Sequence, residues 1–175
     1  GNYKWMQNWE AANVLATQVF PLIKKRLPDA KLVISGQFPP SRLKALQNKD
    51  ITISELDDAD HAGVVSAYRK AGLVIAPIYG PGGTRLKILA AMASMVPVVT
   101  TPIGAEGYGA KDGESILIGK TPGEIAQKAV KVLTDKKLYT KIAKNARKLV
   151  DINFSWEPIS QKLESIYEDL VHHHS

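Results

Sequence analysis

Apolar positions along the chain follow two rhythms. Ala11, Val14, Leu15, Val19, Phe20, Leu22 and Ile23 recur at helical spacing. They predict a helix over 9–27, with Asn8 as its N-cap and Pro28 just beyond its end. Short, continuous apolar runs predict strands at 31–36 (KLVISG), 51–54 (ITIS), 73–78 (LVIAPI), 96–101 (VPVVTT) and 114–119 (ESILIG). Helical patterns fall between the strands. One covers 42–48 behind Ser41, one covers 61–71 after the acidic ELDDAD, and one covers 84–94 (TRLKILAAMAS). The stretch 104–113 (GAEGYGAKDG) predicts a loop. Three helices follow the last strand: one from Pro122 to about 134, one from about 136 to 152, and one from near Trp156.

Strands that alternate with helices and are apolar throughout predict an α/β fold. Its parallel sheet is buried on both faces, the doubly wound arrangement. Ligands of such sheets sit beyond the carboxyl ends of the strands. The loops that matter are then 36–40, 55–60, 79–84 and 102–113. A doubly wound domain ordinarily opens with a strand, whereas this chain enters a helix almost at once. Its first strand is therefore expected to lie outside the chain. Residues 1–171 read as a single domain, and the closing HHHS (172–175) resembles the remnant of a purification tag.

Composition narrows the class. The 175 residues suffice for one full core, and 45% hydrophobic with 23% charged content is ordinary for a globular domain. There are no cysteines, which excludes disulfides and thiolate metal sites. No metal site is expected. No run approaches the ~20 apolar residues of a membrane span, and the opening GNYKWMQNWEA lacks the layout of a signal peptide. The expected location is the cytoplasm. The formal charge is +6, and residues 120–148 hold nine Lys or Arg against Glu124 and Asp135. That stretch reads as the solvated face of two helices, or as a patch that meets anionic lipid at the inner membrane face. Nucleic acid is not an expected partner, because the stretch has a single aromatic, Tyr139, for base stacking. His61, the one histidine outside the tail, reads as a surface or capping residue.

The junction YGPGGTRLK (79–87) carries the clearest chemistry. Gly82 and Gly83 permit close approach to the backbone. The first N–H groups of the following helix lack internal partners, and the helix dipole favours an anion there. Arg85 and Lys87 add full charges, and Arg85 has the fork that grips a diphosphate. The plainer alternative is a tight turn with two solvated cations. The pattern is neither a Walker loop nor Gly-x-Gly-x-x-Gly.

The longer stretch APIYGPGGTRLKILAAMASMVPVVTTPIGAEG resembles the signature region in the C-terminal half of retaining GT-B glycosyltransferases. NWEAANVLATQVFPLIKKRLPDAKLVISG is similar to that family's first helix and strand, and ARKLVDINFSWEPISQKLESIY to its closing helices. The resemblance covers nearly the whole chain. It implies a Rossmann-like domain that binds a nucleotide-sugar donor, together with an N-terminal acceptor domain outside this chain. It places the backbone of Gly83, Thr84, Arg85, Leu86 and Lys87 at the donor diphosphate, beside Gly82, which stands where many members carry a glutamate. Arg85 and Lys87 are the catalytic groups it implies. It places the backbone of Glu55, Leu56 and Asp57 at the base, and Glu106 and Gly107 in a loop near the cleft. Two departures stand out. Ala90 occupies the position where the family usually has a ribose-binding glutamate, at a cost of about 1.5–3 kcal/mol if nothing replaces the hydrogen bond. Met95 stands where a glycine is usual. The resemblance therefore supports two expectations, a glycosyltransferase donor domain needing no further cofactor or a non-catalytic relative.

Overall fold

The structure, a computed structural model, describes residues 1–56, 60–80 and 85–172. Its first helical stretch is built in three pieces: α1 (Met6–Val14), a π-helical segment (Leu15–Val19) and α2 (Phe20–Arg26). The helix starts at Met6, so Asn8 lies inside it. Its N-cap is Trp5, which makes no side-chain cap. Pro21 accounts for the π segment. It has no N–H for the carbonyl of Thr17, and its ring crowds that carbonyl, so the preceding turn widens.

β1 (Leu32–Gly36) pairs in parallel with β2 (Ile51–Glu55). β3 (Val74–Ala76), β4 (Val98–Thr100) and β5 (Leu117–Ile118) form a second parallel ladder in that order. The single expected sheet is thus two ladders among the described residues. Residues 1–3 run beside the end of β1. The Gly1 ammonium donates to Ser35 O at 2.8 Å. Gln37 N–H donates to Gly1 O at 2.9 Å and Tyr3 N–H to Gln37 O at 3.0 Å. Gly36 makes this possible, because a Cβ there would lie 1.8 Å from the Gly1 carbonyl oxygen.

Helices cover both faces of the second ladder, as the alternation of β4 shows. Val98 packs with Ile88 and Met92 of α5 (Leu86–Ala93) and with Ala146 of α8 (Lys136–Asn153). Val99 packs on the other side with Val19, with Ile23 of α2, and with Ile125 and Val132 of α7 (Pro122–Thr134). The first ladder departs from the expectation of burial on both faces. Ile34 and Ile51 pack with Phe20 and with Leu43 of α3 (Ser41–Lys44), but Val33 points the opposite way and is 59% exposed. α3 is also shorter than 42–48, and Pro40, not Ser41, is its N-cap.

Two other elements refine the loops. Asp60 caps α4 (His61–Lys70) by accepting from Gly63 N–H at 2.7 Å, the role expected of acids at a helix start. The predicted loop at 104–113 overlaps a short helix, α6 (Pro102–Ala105), capped by Thr101. The chain closes with α9 (Trp156–His172). The basic stretch is partly committed within the domain. Lys128 pairs with Asp112 at 2.6 Å, Lys141 donates to Gly113 O at 2.9 Å, and Arg147 pairs with Asp151 at 2.8 Å. Among the described residues, no helix is long and apolar enough to cross a membrane.

The end of α5 carries a cost. Val96 N–H returns to Ala91 O and Met95 N–H to Met92 O, both at 3.0 Å, which is a Schellman closure. That closure puts Met95 at φ 57, a left-handed conformation normally taken by glycine. Met95→Gly is expected to stabilise the domain by about 0.5–1 kcal/mol, after allowing for the greater entropy of an unfolded glycine. Differential scanning calorimetry should read a rise of about 1–4 °C. An unchanged or lower melting point counts against strain at this position.

Candidate functional site

The loop after β4, α4 and the first turn of α1 all reach the start of α5. Arg85 is the residue before the helix, with φ −84 and ψ 68. Its backbone N–H donates to the Tyr108 hydroxyl at 3.0 Å. One of the N–H groups expected to face an anion is therefore already satisfied from inside. Arg85 Nε is buried and has no acceptor among the described residues. Leu86 follows with its side chain 69% exposed.

Lys87 turns toward α1. Its Nζ donates to Asn8 Oδ1 at 2.5 Å, and its carbonyl accepts from the Tyr68 hydroxyl at 3.2 Å. Burial lowers the pKa of Lys87, and among the described residues no carboxylate lies within ion-pair distance of it. A half-buried ammonium without a counterion is poised to accept an anion. Ala90 sits three residues on, on the same side of α5, and presents only a methyl. Ala91 is fully buried and acts as close packing, while Ala93 is half-buried and its carbonyl accepts from Arg147 at 2.7 Å.

The other predicted residues divide. Glu106 ends α6 and is exposed, and Gly107 follows with φ 86. Glu55 ends β2, but its carboxylate pairs with Lys44 at 3.1 Å. Leu56 N–H is taken by Gly36 O at 3.0 Å, leaving its carbonyl for any base contact. No hydrogen bond or ion pair among the described residues joins Glu55 or Leu56 to Arg85 or Lys87. Gly82, Gly83, Thr84 and Asp57 lie outside the described residues.

Three contributors escape the sequence reading: Asn8, Tyr68 and Tyr108. Tyr108 lies between Gly107 and Gly109, both with positive φ (86 and 67). Those two left-handed residues turn its ring inward, where it is 5% exposed and meets Phe154 edge to face. Burial raises its pKa, against an opposing effect of Arg85, so the hydroxyl stays neutral and accepts. The signal was present as a lone aromatic between two glycines in a loop that follows a strand. Thr101 secures the same loop by donating to Ile78 O and accepting from Gly104 N–H at 3.1 Å.

Comparison with known proteins bears on this arrangement. Residues 1–135 match the family described as Glycosyl transferases group 1. An uncharacterized 44.6 kDa protein in the cps region of Klebsiella pneumoniae is 26% identical over 160 residues. That match takes in 88% of this chain and 41% of the relative, so the chain spans about two-fifths of that relative's length. The C-terminal domain of a group 1 family glycosyl transferase (LpcC) from Francisella tularensis superposes with a TM-score of 0.70 at 26% identity, covering 87% of this chain and 83% of that one. HepE from Anabaena, solved with UDP and glucose, superposes at 0.68 with 18% identity, covering 86% and 43%.

Proposed function

This chain belongs to the glycosyl transferases group 1 family, and from that premise we propose that it is the donor-binding part of a glycosyltransferase of hexosyltransferase type. The parent enzyme transfers a sugar from a nucleotide-diphosphate sugar to a glycan, lipid or small-molecule acceptor, with retention at the sugar carbon. One observation carries the reading. Among the described residues, the start of α5 gathers a buried guanidinium nitrogen without an acceptor and a half-buried ammonium without a carboxylate at ion-pair distance. Both sit at the end of a glycine loop, where a diphosphate supplies the missing oxygens. A structural relative solved with UDP and glucose supports the ligand class.

The roles follow from the charge that develops. As the sugar–oxygen bond breaks, negative charge gathers on the departing diphosphate. Arg85 and Lys87 are already partly desolvated, so they stabilise that charge with little solvent reorganisation. The reading invokes no metal. The acceptor and the second wall of the cleft belong to the N-terminal part of the parent, so this chain by itself is expected to be inactive.

Ala90 supports a second reading, a domain that kept the fold and lost the donor. Melting the protein with UDP, GDP and ADP separates the two. A nucleotide at a hundred times its Kd adds about 2.7 kcal/mol, which lifts the midpoint by roughly 5–10 °C at this size. Absence of any shift at millimolar nucleotide favours the second reading. Ala90→Glu is expected to restore a ribose contact and leave affinity equal or tighter. A clear loss means that the ribose does not lie against this face of α5.

A further inference from the structure

Asn8 departs from what its position suggests. It lies in the first turn of α1 and caps nothing there. Its Nδ2 donates to Asn2 O at 2.8 Å, and its Oδ1 accepts from Lys87 Nζ at 2.5 Å. The two contacts fix the amide's orientation. The reverse orientation would set an NH2 against an ammonium and an oxygen against a carbonyl. Asn2 is held in turn, since its Nδ2 donates to Gln37 Oε1 at 3.0 Å and its Oδ1 accepts from Lys4 N–H at 3.0 Å. A polar relay thus runs from the loop after β1, through Asn2 and Asn8, to the ammonium on α5. The first turn of α1 also meets Gly80, where a Cβ would stand 3.2 Å from Gln7 Cγ.

The chemistry of the contact matters as much as its geometry. A carboxylate in place of Asn8 would hold Lys87 equally well but would cancel its charge. A carboxamide holds the ammonium through a neutral oxygen and leaves the full charge for a second acceptor. We propose that Asn8 is a positioning residue, which holds Lys87 Nζ beside the first turn of α1 with its charge uncancelled, so that it meets a diphosphate oxygen. The proposal rests on the donor-diphosphate reading and assigns the counter-residue that this reading lacks.

Isothermal titration of the 175-residue chain with inorganic pyrophosphate, and separately with UDP, tests it. Asn8→Asp pairs with Lys87 but sets its second oxygen against Asn2 O, so its melting temperature can move either way; it is expected to weaken both ligands about tenfold or more. Asn8→Ala is expected to weaken them by several-fold, measured well below its melting point. A merely structural asparagine predicts affinity that survives, measured below the melting point, whatever the change in stability. Asn8→Asp binding pyrophosphate within twofold of the parent overturns the proposal. Lys87→Ala separates the two layers. If it weakens pyrophosphate and Asn8→Asp does not, the role of Asn8 fails and the diphosphate reading stands. If Lys87→Ala changes nothing, the diphosphate contact fails and the role of Asn8 fails with it.

Discussion

Arg85→Met is expected to make the domain more stable and the donor site weaker. The substitution keeps the apolar stem and removes Nε, a buried donor without an acceptor among the described residues. Leaving such a group unsatisfied costs about 1–3 kcal/mol, so its removal should raise the melting point of the ligand-free protein by several degrees. The same change removes the forked cation from the end of the glycine loop. A hydrogen bond to a charged group contributes about 1.5–3 kcal/mol, which corresponds to a loss of roughly ten- to a hundredfold in UDP affinity. Calorimetry of the free protein and titration with UDP read the two halves independently. Unchanged affinity removes Arg85 from the site, and a lower melting point means that Nε finds a partner in the free protein.

Gly104→Ala should show a large loss of stability. A Cβ at that position would lie 1.9 Å from Thr100 Oγ1 and 3.3 Å from Thr101 Oγ1. Both threonines are buried, and Thr100 donates to Ala76 O at 2.7 Å while Thr101 holds Ile78 O. The new methyl must therefore displace hydroxyls that tie β4 to the end of β3. Overpacking and one strained buried hydrogen bond together cost about 3 kcal/mol, or roughly 6–12 °C in melting temperature. Thr100→Ala in the same chain frees the space. The double variant should be less destabilised than the sum of the two single changes. A single-variant loss below about 1 kcal/mol means that α6 shifts at little cost. The consequence reaches the site, because α6 and its loop carry Tyr108, which holds the N–H of Arg85.

Much of the fold was legible because it is local. Continuous apolar runs located the five strands and the 3.6 period the longer helices, though not α6, and Pro122 and Asp60 marked helix starts for reasons contained in a single turn. Misreadings arose where a neighbour decided. Pro21 looked compatible with a helix over 9–27, yet its missing N–H opened a π segment. Val33 sits in a continuous apolar run, yet it is exposed because the β1–β2 ladder is packed on one face. Met95 was marked in advance only by the resemblance, which puts a glycine there, and the left-handed turn at the helix end shows why a glycine suits the place.

For the candidate site, the sequence by itself determined which groups are available. A glycine loop before a helix, with Arg85 and Lys87 in the first turn, is a consequence of chain order, and so is the absence of a carboxylate at Ala90. Only the tertiary structure decided what those groups do in the free protein. Tyr108 reaches Arg85 across 23 residues and Asn8 reaches Lys87 across 79. Such contacts are set by how α1, α5 and the β4 loop pack against one another, and no periodicity in the chain encodes them. Burial likewise belongs to the packed state. A lysine has its ordinary basicity in the extended chain, and the desolvation that lowers the pKa of Lys87 exists only once α1 and α5 close over it.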